Sequence, residues 1–451
     1  MKGKFIVIGG LLIMLLMASA QANEVALTVY NQDFALVRDV RRIALPKGAE
    51  TIRFKEVAAK IDPTSVHFKC LTAPDQVAIL EQNYEYDLVN SQKLLRKYVD
   101  EKIRLLAKEE RFYEGTLLNA SDDLVIEDDS GQIKVIKAQE VQILEFPQLP
   151  EGLITRPTLV WLVESQRAGE HSAEVSYLAE GINWHAEYVA AVNENDTRLE
   201  LSSWVSIDNR SGATYRDAKL KLVAGDVHRV KPPSPVVPER FAAEALVAKG
   251  APQFEEKAFF EYHMYTLTRP ATVMDNQIKQ LSLFPSAGVG VKKILTYEGA
   301  RDGTKVRVNL EFVNSKQNGL GIPLPQGKLR VYKQDGDQSL QFVGEDLIDH
   351  TPKDEKVRIF LGNAFDVVGE RKQMEVRKIT DRSREETYEI KLLNHKEKEV
   401  EVVVIERLWG DWKITGTTAD YRKKDVRTVE FALPVPADGE TVLKYTVLYL
   451  W

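Results

Sequence analysis

His185 and Glu187, in the run Gly181, Ile182, Asn183, Trp184, His185, Ala186, Glu187, Tyr188, are the side chains whose types and spacing come nearest to suiting chemistry. Residues i and i+2 of a β-strand share a face, so an imidazole and a carboxylate would stand side by side, able to ligate a metal or pass a proton. A lone pair of this kind is more often a polar contact within a sheet. The seven histidines, at 67, 171, 185, 228, 263, 350 and 395, are scattered rather than paired at ligand spacing. Neither an HExxH helix nor a GxSxG elbow occurs, which removes the commonest zinc peptidase and hydrolase signatures.

Three further groupings carry weaker signals. Asp335, Asp337, Glu345, Asp346 and Asp349 with His350 offer the clustered carboxylates that calcium favours, but not the spacing of an EF-hand loop; they suit hairpin corners and solvated faces. Gly321 to Lys328 superficially resembles a phosphate loop, yet five residues separate Gly321 from Gly327, Leu329 stands where Ser or Thr belongs, and Pro323 and Pro325 remove amides that phosphate would need. Trp409 and Trp412, flanking Asp411, could form with Tyr421 an aromatic platform for sugar rings, against the alternative that one Trp packs the core and the other lines a junction. The sequence thus assigns no catalytic, metal-binding or cofactor-binding residue, and one candidate ligand platform, Trp409, Trp412 and Tyr421.

The elements that must position these residues are strands. From Leu320 to Glu370 the chain reads as a β meander: Pro323, Pro325 and Gly327 turn, Leu329 and Val331 alternate with Arg330 and Lys333, Asp335 and Gly336 make a corner, and Val357, Ile359 and Leu361 alternate again. Leu199, Leu201, Val205 and Ile207 share a strand face, and Ala218, Leu220 and Leu222 are expected to return against them as a hairpin. The fold class is mainly β and multidomain: β-sandwich domains plus a small SH3-like barrel, with few helices.

The expected divisions are a signal peptide at 1–22, an N-terminal β domain at 23–86, a helix at 87–100 capped by Asp87, and a small barrel at 101–146. The first part of a sandwich follows at 155–225, a proline-rich linker at 226–260, and the sandwich continuation with the C-terminal β domain at 261–451. Lys2 and Lys4 precede an apolar run from Phe5 to Met17 and small residues at Ala18, Ala20 and Ala22, the pattern of a secretory signal. The run is shorter than the ~20 residues a spanning helix needs. Export to a periplasm or the cell surface follows as an expectation, with no integral membrane segment once the signal is cleaved.

Cys70 is the only cysteine of 451 residues, so packing rather than an intrachain disulfide must stabilise the chain. A net charge of −6, spread over a chain that is 28% charged, argues against a nucleic-acid partner and supplies no basic face for anionic lipid.

Four stretches carry a resemblance: Gly181 to Tyr188; Trp204 to Gly212, leading to Asp217 and Ala218; the segment from LPQG (Leu324 to Gly327) to NAFDV (Asn363 to Val367); and Pro434 to Glu440 with Tyr445. With them the chain resembles exported proteins related to mucoidy inhibitor A, whose C-terminal half is a domain of unknown function. The N-terminal YNQDFALV and IDPTSV resemble the leading β segment of a signal-bearing subset. The resemblance implies a mainly β fold and export, and supplies no catalytic residues. The expected role is non-enzymatic binding or scaffolding at the cell envelope, with an envelope protein or glycan as partner. The alternatives are a glycan- or peptide-directed hydrolase with a site assembled across domains, and a carbohydrate-binding module.

Overall fold

The structure is a computed structural model, and it describes residues 23–121, 123–225, 227–229 and 253–451. The expected signal segment and most of the proline-rich linker, including Glu239 to Lys249, lie outside the described residues. Strand dominates, as the alternating patterns require. Among the described residues α-helix is confined to Ser91–Lys97 and Gly299–Asp302. The first of these is shorter than the expected 87–100. Asn90, not Asp87, is its N-cap: the Asn90 side chain accepts a hydrogen bond from Lys93 N, while Asp87 pairs with the Lys93 ammonium at 2.7 Å.

The described residues divide into two compact units, one comprising those up to Leu27 and within Leu36–Ala179, the other those within Thr28–Ala35 and Glu180–Trp451. In the first unit Thr158–Ser165 lies between Gly48–Lys55 and Val77–Glu85. It contributes Trp161, fully buried against Phe54 and Phe68, with its indole N–H donating to Gln82 Oε1. Five strands, from Lys102–Ala107 to Val141–Glu145, enclose a separate core of Ile103, Leu105, Leu117, Ile126 and Ile136. Their order, Val141–Glu145, Lys102–Ala107, Arg111–Asn119, Leu124–Glu127, Ile133–Ile136, leaves the two outer strands unpaired with each other. The expected barrel is therefore an open five-stranded sheet: strands of four and five residues at its edges are too short to close it.

In the second unit a six-stranded sheet runs Gln277–Ser282, Arg198–Asn209, Ile182–Val192, Gly327–Gln334, Leu340–Ile348, with Ala287–Gly290 also on Arg198–Asn209. Its core face meets a layer containing Tyr215–Ala224 and Tyr262–Leu267: Trp184 donates to Val223 O at 3.1 Å and meets the Tyr265 ring edge-on. The expected hairpin between Arg198–Asn209 and Tyr215–Ala224 does not form. Asn209 and Ser211 tie the intervening turn back on itself, and the chain crosses to the other layer, which is how a sandwich buries both apolar faces. The meander splits likewise: Gly327–Gln334 and Leu340–Ile348 pair as expected, but Lys356–Thr380 enters a nine-stranded sheet with its own core of Tyr297, Val404, Phe431, Leu443 and Tyr445.

Candidate functional site

Alternation along Ile182–Val192 builds the site. Ile182, Trp184, Ala186 and Tyr188 are buried on the core side, so Asn183, His185 and Glu187 must share the opposite face. The neighbouring strands set what they meet. Asn183 lies opposite Asp208 and His185 opposite Ser206; Ser206 in turn lies opposite Gln280, and the parallel strand puts Lys328 level with Glu187. Gly327 permits this approach, since a Cβ there would stand 2.1 Å from Ala186 O. These side chains line a cavity of about 430 Å³, completed by Asn31, Ile278, Gln326, Arg330, Leu347 and His350.

Glu187 is its electrostatic centre. It accepts hydrogen bonds from Gln280 Nε2 at 3.2 Å and Ser206 Oγ at 3.4 Å, with His185 Nε2 at 3.6 Å and Arg330 at 3.8 Å from Oε1. Interaction with His185, opposed by partial burial and helped by the Arg330 charge, holds its carboxyl below the usual glutamate range. The other charges are also matched: Lys328 and Arg330 share Glu345, each at 3.3 Å, and Asp208 pairs with Arg210 at 3.0 Å. The amide groups of the Asn183 and Gln326 side chains, in contrast, make no hydrogen bond among the described residues.

The rim is held by buried hydroxyls. Tyr188 donates to Pro325 O at 2.7 Å and Tyr265 to Pro323 O at 3.1 Å, and burial pushes both phenols above their ordinary range. Leu324 and Thr351 exchange two backbone hydrogen bonds of 2.9 Å. This brings His350 to Gln326, whose N–H donates to Nδ1 at 3.1 Å. The other ring nitrogen, Nε2, lies 3.5 Å from the Asn31 side-chain amide nitrogen.

The predicted aromatic residues lie on the nine-stranded sheet and are engaged separately. Trp409, 40% exposed, stacks on Tyr449 at 4.3 Å and leans on Trp451, with the Arg384 guanidinium 5.0 Å from its centroid. Trp412 donates to Val426 O at 2.7 Å and lies under Lys423. Tyr421, also part-exposed, tilts against Phe431. The acidic grouping disperses: Asp335 and Asp337 bond turn amides, Asp346 accepts from Phe360 N, and Glu345 takes Lys328 and Arg330. Among the described residues no group of three or more His, Cys, Asp or Glu side chains is disposed to hold a metal ion. Cys70 is buried beside Thr72 and His171.

A mainly β sandwich with a polar cavity on the outer face of one sheet is the class of protein these features define. The domain of unknown function DUF4139 matches residues 173–448, and the chain belongs to that family. No curated protein sequence matches the chain.

Sequence reasoning found His185 and Glu187 but missed Asn183, Ser206, Asp208, Gln280 and Gln326 as their companions. The available signal was that Asn183, His185 and Glu187 alternate with apolar Ile182, Trp184, Ala186 and Tyr188, and Ser206 and Asp208 with apolar Val205 and Ile207. Asn31, Gln280 and His350 gave no local signal, because only long-range pairing brings them to the cavity.

Proposed function

We propose that this is an exported, non-enzymatic binding protein of the cell envelope, and that the cavity around Glu187 is its binding site. One observation carries the reading. Segments quoted for the resemblance to mucoidy inhibitor A-related proteins, far apart in sequence, converge there: Asn31 from YNQDFALV, Asn183 to Glu187, Ser206 with Asp208, and Pro325 to Gly327. The apolar expected signal at 1–22 supports export. Among the described residues no helix is long and apolar enough to cross a membrane. The state of Glu187 disfavours a general-acid role: such a group needs a raised carboxyl pKa, whereas Glu187 is lowered and accepts hydrogen bonds from Gln280 and Ser206.

The test is retention of envelope glycan and peptide fragments on the immobilised mature chain, beside Glu187→Ala and Trp409→Ala variants. Retention by the wild type and the Trp409→Ala variant, lost in the Glu187→Ala variant, is the expected result. Turnover of a retained fragment that depends on His185 or Glu187 would overturn the non-enzymatic reading.

A further inference from the structure

Resting on the reading of this cavity as a binding site, we infer that its ligand is a neutral saccharide of about two rings, recognised through its hydroxyl and N-acetyl groups. The charges in and around the cavity are already spent on one another: Glu187 on His185 and Arg330, Glu345 on Lys328 and Arg330, Asp208 on Arg210. A charged ligand would have to draw a partner away from one of these part-exposed pairs, whereas a neutral one leaves them intact. The uncommitted groups are neutral. Among the described residues the Asn183 and Gln326 side-chain amides have no hydrogen-bond partner, and Gln280, whose Nε2 is used twice, keeps its Oε1 without a donor. Carboxamides offer a donor and an acceptor side by side, the complement of vicinal hydroxyls and of an acetamido group.

Size and shape agree. A cavity of about 430 Å³ falls within the ~300–1,000 Å³ of small-ligand sites. Ile278 and Leu347 stand at its two sides, on strands flanking the polar centre, and offer apolar surface to the C–H faces of a ring. A peptide fits less well. The three central strands are each paired on both sides, so main-chain addition is confined to the outer edges of the two flanking strands, away from the polar centre.

The experiment is calorimetric titration of the mature chain with N,N′-diacetylchitobiose, with its cationic de-N-acetylated counterpart, and with an anionic sulfated disaccharide. The expected result is saturable 1:1 binding of the neutral disaccharide, at least tenfold tighter than either charged one. It should weaken at least tenfold in Asn183→Ala and in Gln326→Ala, and be unchanged in Trp409→Ala. Equal or tighter binding of a charged disaccharide, binding that survives both amide variants, or no binding of any of the three would overturn the inference. In the last case, fragment retention that still depends on Glu187 would leave the cavity as the binding site and remove only the ligand class.

Discussion

The two large sheets of the second unit each carry a polar cluster centred on a glutamate, and the clusters differ in what they leave over. In the nine-stranded sheet Glu406, 2% exposed, receives Arg371 through both oxygens at 2.9–3.1 Å and the Tyr445 hydroxyl at 2.5 Å. The guanidinium lies 3.9 Å over the Tyr388 ring, whose hydroxyl donates to Glu386. Burial and the neighbouring Glu406 carboxylate push the Tyr445 phenol up, so it stays a donor. In the six-stranded sheet Glu187 is held more loosely, by contacts of 3.2–3.8 Å, and the Asn183 and Gln326 amides lining the same cavity have no hydrogen-bond partner among the described residues. A closed network stabilises its sheet, whereas one fringed by unspent amides is suited to a ligand.

The largest expected effect breaks the closed network. Glu406→Ala strands the partly buried Arg371 and should cost about 3–5 kcal/mol, read by denaturant unfolding, while leaving fragment retention intact in the folded fraction. Next comes Gly327→Ala, whose Cβ collides with Ala186 O. Overpacking of this kind costs about 1–3 kcal/mol, and because the parallel strand must shift, ligand retention should fall with stability.

A pH comparison separates the glutamates more finely. The native Glu187 carboxyl titrates below its ordinary value of 4.5, so its contribution to stability is complete above that pH and is lost as pH falls through the native value. The stability gap between wild type and Glu187→Gln should therefore shrink as pH falls below about 4.5. A gap that widened below that pH would contradict the assignment. The smallest effect on stability is expected of Asn183→Ala, which should change unfolding by less than about 0.5 kcal/mol, because its amide bonds no other described residue, yet abolish retention.

How far the sequence discloses this arrangement depends on range. Period-two alternation marks Ile182–Val192, Arg198–Asn209 and Gly439–Leu450 as strands, and the Asp335–Gly336 corner fixes the hairpin between Gly327–Gln334 and Leu340–Ile348. Pairing between distant segments has no local signature. Tyr215–Ala224 carries the alternation of a hairpin return but joins another layer, and Lys356–Thr380 leaves the meander for a second sheet. The site was half legible for the same reason. His185 and Glu187 share a face by spacing alone, but Lys328 and Gln280 join them only through a parallel crossover and a strand from residues 277–282. Trp409, Trp412 and Tyr421 showed the opposite weakness: proximity in sequence suggested one platform, while each ring packs on a different neighbour.

The decisive measurement is fragment retention by Asn183→Ala and Trp409→Ala side by side with wild type on one envelope digest. With the binding site in the cavity around Glu187, Asn183→Ala loses retention with unchanged stability and Trp409→Ala keeps it. Retention kept by Asn183→Ala and lost by Trp409→Ala would contradict it and move the binding surface to the nine-stranded sheet.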